Sequence, residues 1–261
     1  MSEATRPASA SAPAPAPLAN LRDLGGIPVR GGRIRPGLVL RSDDVATTTP
    51  AQVAELVEAG LSTIIDLRSA QEAQRTGRGP SADHPLRYLA LPLTDAEAAP
   101  PELAGQFLAS VRTPEHVGQW YAKIFTGRKE ALVRGLEAVA DAPGTVLFHC
   151  AAGKDRTGMF AAALLAVLGA DPEDIADDYS RTQDRLPEVY RRMGLAELSA
   201  GADIPLDHPV LAAHPAAMRT MLAVLDSHSG GITGVLRAGG LTTDLAGRLH
   251  GKLVQPVPSG L

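Results

Sequence analysis

Residues Thr145–Gly158 read TVLFHCAAGKDRTG, and the order of residue types within them decides the architecture. Thr145 to His149 is a short run of β-branched and aromatic residues following the Pro143-Gly144 turn, the pattern of a buried strand. From Thr157 to Leu168 the chain is rich in helix-forming Ala and Leu and stops at Gly169. The intervening loop joins a strand end to a helix start. Unpaired N–H groups and the helix dipole make such a junction attractive to anions.

Two side chains give the loop its chemistry. Cys150 and Arg156 are separated by five residues. A cysteine attacks only as its thiolate, which a helix N-terminus and a nearby cation favour through the same field that draws an anionic substrate. The backbone N–H groups from Ala151 through Ala152, Gly153 and Lys154 to Arg156 can curl around a phosphoryl group. Gly153 permits a conformation that a Cβ would resist. Arg156 can grip two phosphoryl oxygens with its planar fork, as Lys cannot. The expectation is a cup with a nucleophile at its base. A lone cysteine is ordinarily a buried structural thiol. His149 before it, Gly153 three residues on and Arg156 six on set Cys150 apart from that case.

HCAAGKDRTG resembles the signature of the cysteine-dependent phosphatases, His-Cys followed by five residues and Arg, with Thr157 where that superfamily has Ser or Thr. The Lys-Asp-Arg ending, NLRDLGG at 20–26, RPGLVLRSD at 35–43 and IDLRS at 65–69 are similar, more narrowly, to the atypical bacterial tyrosine phosphatases, the type of the secreted mycobacterial tyrosine phosphatase B. The likeness runs from Leu18 to Leu253. It implies a cysteine-phosphatase-like fold and hydrolysis of phosphotyrosine through a phosphocysteine, with phosphoserine, phosphothreonine and phosphoinositides as further substrates. No cofactor and no metal are implied, since Arg156 and the backbone supply the positive field. Asp155 is favoured as the general acid, His149 as an ordering group that points away from the cup, and Thr157 as a hydroxyl donor to the departing sulfur. Asp95, after the strand end LPLT, occupies a position where other cysteine phosphatases carry a mobile acid. Asp66 is a third candidate, or, with Arg68 as ion-pair partner, a support for the loop. Lys154 adds a cation at the cup's rim that suits a polyanionic ester such as a phosphoinositide; its plainer role is to pair with an acidic neighbour.

Around this loop the chain reads as α/β. Arg33 to Leu40 is a turn into a strand, Thr48 to Gly60 a helix with Pro50 in its first turn, Leu61 to Leu67 an apolar strand covered on both faces, and Arg87 to Leu93 a further strand. Helices between strands give a central, mostly parallel sheet flanked by helices, whose carboxyl strand ends gather Asp66, Arg68, Asp95 and the Cys150 loop. Asp95 to Phe125 is an insertion with the single Trp, Trp120. Its apolar periodicity predicts helices, as a lid over the site or as a scaffold pair. Asp171 to Met193 reads as one helix, and 213–227, 231–238 and 242–253 as three more. His208, His214, His228 and His250 lack metal-ligand spacing.

The whole chain bounds what else is open. In 261 residues, 44% hydrophobic and 21% charged, no boundary marks a second domain, so 18–261 is expected to form one phosphatase domain behind a flexible Ala/Pro-rich tail at 1–17. A net charge of −4 without a basic region gives no footing for nucleic acid. No apolar run approaches 18 residues, so no integral membrane segment is expected, and the N-terminus lacks the apolar core of a signal peptide. The protein is expected in the cytoplasm, or exported without a recognisable signal as some relatives are. Its partners are phosphorylated proteins or phosphoinositides; the residues do not address oligomeric state. A sulfurtransferase and a noncatalytic phosphate-binding module are the competing classes.

Overall fold

Two sheets organise the computed structural model, which describes residues 16–94, 106, 108–194 and 208–256. The tail residues 1–15 and Asp95 lie outside this set. In chain order come β1 (Arg22–Asp23), β2 (Pro28–Val29), β3 (Gly32–Ile34), β4 (Val39–Ser42), α1 (Pro50–Glu58), β5 (Leu61–Asp66), α2 (Ala70–Thr76) and β6 (Arg87–Ala90). Then follow α3 (Pro114–Gly127), α4 (Lys129–Asp141), β7 (Thr145–His149), α5 (Asp155–Leu168), α6 (Pro172–Ser180) and α7 (Leu186–Arg192). The chain closes with α8 (Pro215–Ser229), α9 (Gly231–Ala238), α10 (Thr243–Leu253) and β8 (Val254–Gln255).

The main sheet has the order β1-β4-β7-β5-β6, with β4, β7, β5 and β6 mutually parallel and β1 antiparallel on the edge. The mostly parallel α/β reading therefore holds. All five residues of β7 are buried because both its faces are covered. Val146 and Phe148 point into the large core, and Leu147 into a smaller one with Leu18, Val45, Leu61 and Ile64. Beneath the large face runs α5, whose Met159 to Leu165 are all buried. A second sheet, β2-β3-β8, joins residues near both ends of the chain and had no counterpart in the sequence reading.

Local chemistry sets the helix starts. The Thr49 side chain caps α1, with Pro50 just inside it. A reciprocal capping box between Ser69 and Glu72 opens α2, a short helix without an apolar stripe to announce it. The single helix expected over 171–193 is two: α6 ends at Ser180, Thr182 is buried, and α7 restarts with a proline in its first turn, because Pro187 cannot continue a helix. The three C-terminal helices appear near their expected bounds.

Within the insertion, α3 is a scaffold element. Its Tyr121 and Phe125 are buried, and Trp120 packs against the same core. Gly118 lets α3 lie close on α8, since a Cβ there would come within 2.3 Å of the Ala217 carbonyl oxygen. The rest of the insertion expected over 95–125, residues 95–105 and 107, lies outside the described residues, and the lid alternative with it. Among the described residues, no helix is long and apolar enough to cross a membrane.

Candidate active site

The sheet register brings the site together. His149 ends β7 with Ser42 of β4 and Asp66 of β5 as its neighbours, so Cys150, Asp43 and Leu67 leave the sheet side by side. Cys150 is buried at the start of the loop. Asp155 opens α5, so the loop runs into the helix as the residue pattern predicted.

Four carbonyls of that loop, from Cys150 to Gly153, are each tied to surrounding residues. The Cys150 carbonyl accepts from Nδ1 of His149 at 3.2 Å, and the Ala151 carbonyl from the Asp44 amide at 3.1 Å. The Ala152 carbonyl accepts from the Asn20 side chain at 3.1 Å; that of Gly153 accepts from Asn20 at 3.0 Å and from Arg41 at 2.9 Å. The peptide bonds are trans, so each N–H points opposite to its carbonyl. The amides of Ala151, Ala152, Gly153 and Lys154 are thereby turned away from these partners, together, toward the other side of the loop. Gly153 makes the turn with φ +68°, and a Cβ there would come within 2.5 Å of the Ser42 carbonyl oxygen.

The outer partners are themselves braced. Asp178 accepts from Arg41 at 2.5 Å and from Arg22 at 3.0 Å. Burial alone would raise the Asp178 carboxyl, but the charges of Arg41 and Arg22 hold it below the usual range. Arg22, desolvated and next to Arg41, falls to about 10. Asn20 and Arg41 belong to stretches whose pattern was legible, NLRDLGG and RPGLVLRSD, while their role as the outer scaffold of the loop was not.

Arg156 is held by a residue the sequence did not single out. Its two terminal nitrogens donate to the carboxylate of Glu72 at 2.5 and 2.8 Å. A guanidinium has five N–H donors, so three remain beyond this pair. Burial opposes the charge on Arg156, but the negative charge of Cys150 and then that of Glu72 outweigh it and raise its pKa. The guanidinium thus feels the charge of the nucleophile six residues before it. Glu72 in turn is drawn down to about 2: burial opposes this, and the bonds and charge of Arg156 prevail. The S-x-x-E spacing of Ser69 to Glu72 was the available signal, and it reports the helix start rather than the contact with Arg156.

The remaining candidates divide. Asp66 is buried and locked to Arg68, whose Nε lies 2.9 Å from its Oδ1 and whose Nη2 lies 2.6 Å from Oδ2; Tyr88 donates to it as well. Burial raises its pKa, yet Arg68, His149 and Tyr88 overcome this and bring it to about 2. Both oxygens of Asp66 are thus taken by donors, which suits the supporting role with Arg68 as ion-pair partner. His149 is fully buried, 3.8 Å from Asp66 and 3.9 Å from Asp44, and burial outweighs both charges to lower its pKa. Its neutral ring donates outward to the loop, away from the amides. The Thr157 hydroxyl is buried with no hydrogen-bond partner among the described residues.

Lys154 corrects the expectation of a rim cation. Its side chain is 2% exposed, and the ammonium donates to the carbonyls of Val210 and of Ala212, the latter at 3.2 Å, while lying 3.2 Å from Asp155 Oδ1. The ion pair with its acidic neighbour is the role the coordinates support. Asp155 also receives the hydroxyl of Tyr121, which in turn bonds Tyr179 at 2.9 Å. Of the other histidines, His208 and His214 cap helical turns through Nδ1, and His250 bonds the Arg30 carbonyl.

Comparison with known proteins identifies the family. A family model described as "Tyrosine phosphatase family" matches residues 16–255. A Cupriavidus necator protein named as a tyrosine-protein phosphatase is 30% identical over 225 residues, covering 84% of this chain and 81% of its own. The triple specificity protein phosphatase PtpB of Mycobacterium tuberculosis is 28% identical over 255 residues, covering 85% of this chain and 92% of its own. A tyrosine-protein phosphatase of Nostoc commune is 27% identical, with 83% and 74% covered.

Proposed function

The chain belongs to the tyrosine phosphatase family and is a protein-tyrosine phosphatase, and we propose that its reaction runs through a phosphocysteine on Cys150. In the first step the sulfur anion bonds phosphorus as the bond to the leaving oxygen breaks, and Asp155 gives that oxygen its proton. In the second, water bonds phosphorus, the sulfur departs, and Asp155 takes the proton released. The amides of Ala151 to Lys154 and the donor edge left on Arg156 bear the charge of the equatorial oxygens. The buried hydroxyl of Thr157 meets the sulfur as it leaves.

One observation carries this reading: every carbonyl from Cys150 to Gly153 is tied outward, which aims the matching amides together as donors in front of the nucleophile. Such an array is built in advance and costs no reorganisation when charge develops. The reading extends to phosphoserine, phosphothreonine and phosphoinositides as further substrates; a relative named as a triple specificity protein phosphatase supports more than one substrate class. The commitment of Lys154 to Val210, Ala212 and Asp155 lends no further weight to the lipid arm.

Turnover of a phosphotyrosine peptide, a phosphoserine peptide and a phosphoinositide, each with Cys150→Ser as control, tests the proposal. The expected result is phosphate release from the first, abolished in the variant. Hydrolysis that survives Cys150→Ser sinks the phosphocysteine, and sulfur transfer from thiosulfate to cyanide without phosphate release would point to the sulfurtransferase class instead.

A further inference from the structure

Tyr121 comes from α3, 34 residues before Asp155 in sequence, and its hydroxyl donates to Asp155 Oδ1. Tyr121 and Tyr179 are both buried, and their hydroxyls lie 2.9 Å apart. A phenol has one proton. With that of Tyr121 directed at Asp155, the bond between the phenols must be donated by Tyr179, giving a relay from Tyr179 to Tyr121 to Asp155. Burial, and then the charge of Asp155, holds the Tyr121 phenol well above its ordinary value, so the proton stays on the donor.

The same oxygen receives a second donor, Lys154 at 3.2 Å. Lys154 is fixed by the Val210 and Ala212 carbonyls, and Tyr121 by the close seating of α3 on α8. Among the described residues Oδ2 has no such donor, and the Asp155 side chain keeps 28% of its surface exposed. The two carboxylate oxygens are therefore unequal.

We propose that Tyr121 is a positioning residue that, with Lys154, reserves Oδ1 of Asp155 as an acceptor and so confines the catalytic proton to Oδ2. In the first step the Oδ2 proton passes to the leaving oxygen as the P–O bond breaks and the S–P bond forms. In the second, Oδ2 takes a proton from the water that displaces the sulfur. Tyr121 keeps its own proton throughout. The proposal rests on Asp155 being the acid of the reaction above.

A positioned acid matters most when the leaving oxygen is basic. The test is to compare kcat/KM, which reports only the step in which the leaving group departs, for 4-nitrophenyl phosphate, whose leaving group needs no proton, with that for a phosphotyrosine peptide and phenyl phosphate, whose leaving groups do. In Tyr121→Phe, kcat/KM on the basic leaving groups is expected to fall ~10- to 100-fold, with the 4-nitrophenyl value within about 3-fold. Tyr190→Phe removes a part-buried hydroxyl that bonds the Leu211 carbonyl rather than Asp155, and is expected to leave the two classes in their original ratio. Tyr179→Phe, which removes only the outer link, should give a smaller split in the same direction; it serves in place of Tyr121→Phe if that variant does not fold.

Equal losses on both classes, or none, overturn the positioning role. Retained turnover in Cys150→Ser would overturn the underlying reaction instead. An Asp155→Asn variant that lacks the leaving-group split would show that the acid lies elsewhere, and the proposal would fall with it.

Discussion

Arg68 and Arg156 leave the same edge of the sheet and each is gripped by carboxylate, yet only one has anything left to offer a substrate. Arg68 is 1% exposed, and all three of its nitrogens are engaged: Nε with Asp66, Nη1 with Asp44 and Thr76, Nη2 with Asp66 and the Gly77 carbonyl. Arg156 is 15% exposed and gives only two donors to Glu72. Both are arginines beside an acid in a short motif. The donors left over distinguish a structural guanidinium from a working one.

Replacing each by Met breaks the comparison most sharply. Arg156→Met is expected to lower kcat by ~10³-fold or more, since it removes donors that act on transition-state charge, while Glu72, partly exposed, loses one ion pair, which costs less stability than the loss of Arg68. Arg68→Met strands two buried carboxylates and should cost about 3–5 kcal/mol, read from the denaturant midpoint, because uncompensated buried charge is expensive. Equal loss of stability in the two variants would show that the donor count does not separate their roles.

Acid should sharpen the same contrast. The Asp66 carboxyl has its folded pKa lowered from 3.8 to about 2, so its contribution to stability is complete above about pH 5 and is lost as pH falls through 3.8 toward 2. Roughly 2 kcal/mol is at stake, taking about 1.4 kcal/mol per pKa unit. Urea midpoints measured between pH 6 and pH 2.5 should fall in that window, and the slope should flatten in Asp66→Asn. An unchanged slope would mean that the Arg68 pair contributes nothing to folding.

How much of this was legible follows from sequence distance. The Cys150 loop was readable because strand, glycine, nucleophile, arginine and helix start lie within Thr145 to Gly158, and each follows a local rule of propensity or capping. The bracing of that loop comes from far away: Asn20 reaches Ala152 across 132 residues and Glu72 reaches Arg156 across 84. No periodicity links such positions; only the sheet order and register bring them together. Lys154 left two roles open for a related reason. Its charge suits a solvent rim or an acidic neighbour equally, and carbonyls supplied by a distant segment make the buried ion pair tolerable. Pro187, which divides the helix expected over 171–193, was a local signal that the run of good helix formers around it obscured.

Glu72 provides the finest test, because it does two jobs with one carboxylate. Its Oε2 accepts from the Ser69 amide at 2.8 Å, closing the capping box, and from Arg156 at 2.5 Å. Glu72→Gln keeps the size and one acceptor oxygen but presents an NH₂ group to a guanidinium that can only donate. The Arg156 fork then loses its two-point alignment, and kcat is expected to fall about 10-fold, the scale seen when a group supporting an active residue is removed. Since the substrate still meets the loop amides, KM should change less than kcat. Ser69→Ala weakens the cap alone and should cost ~1 kcal/mol of stability. If it lowers kcat as far as Glu72→Gln does, Glu72 acts by anchoring α2, and the orientation of Arg156 comes from the helix as a whole rather than from the carboxylate that touches it.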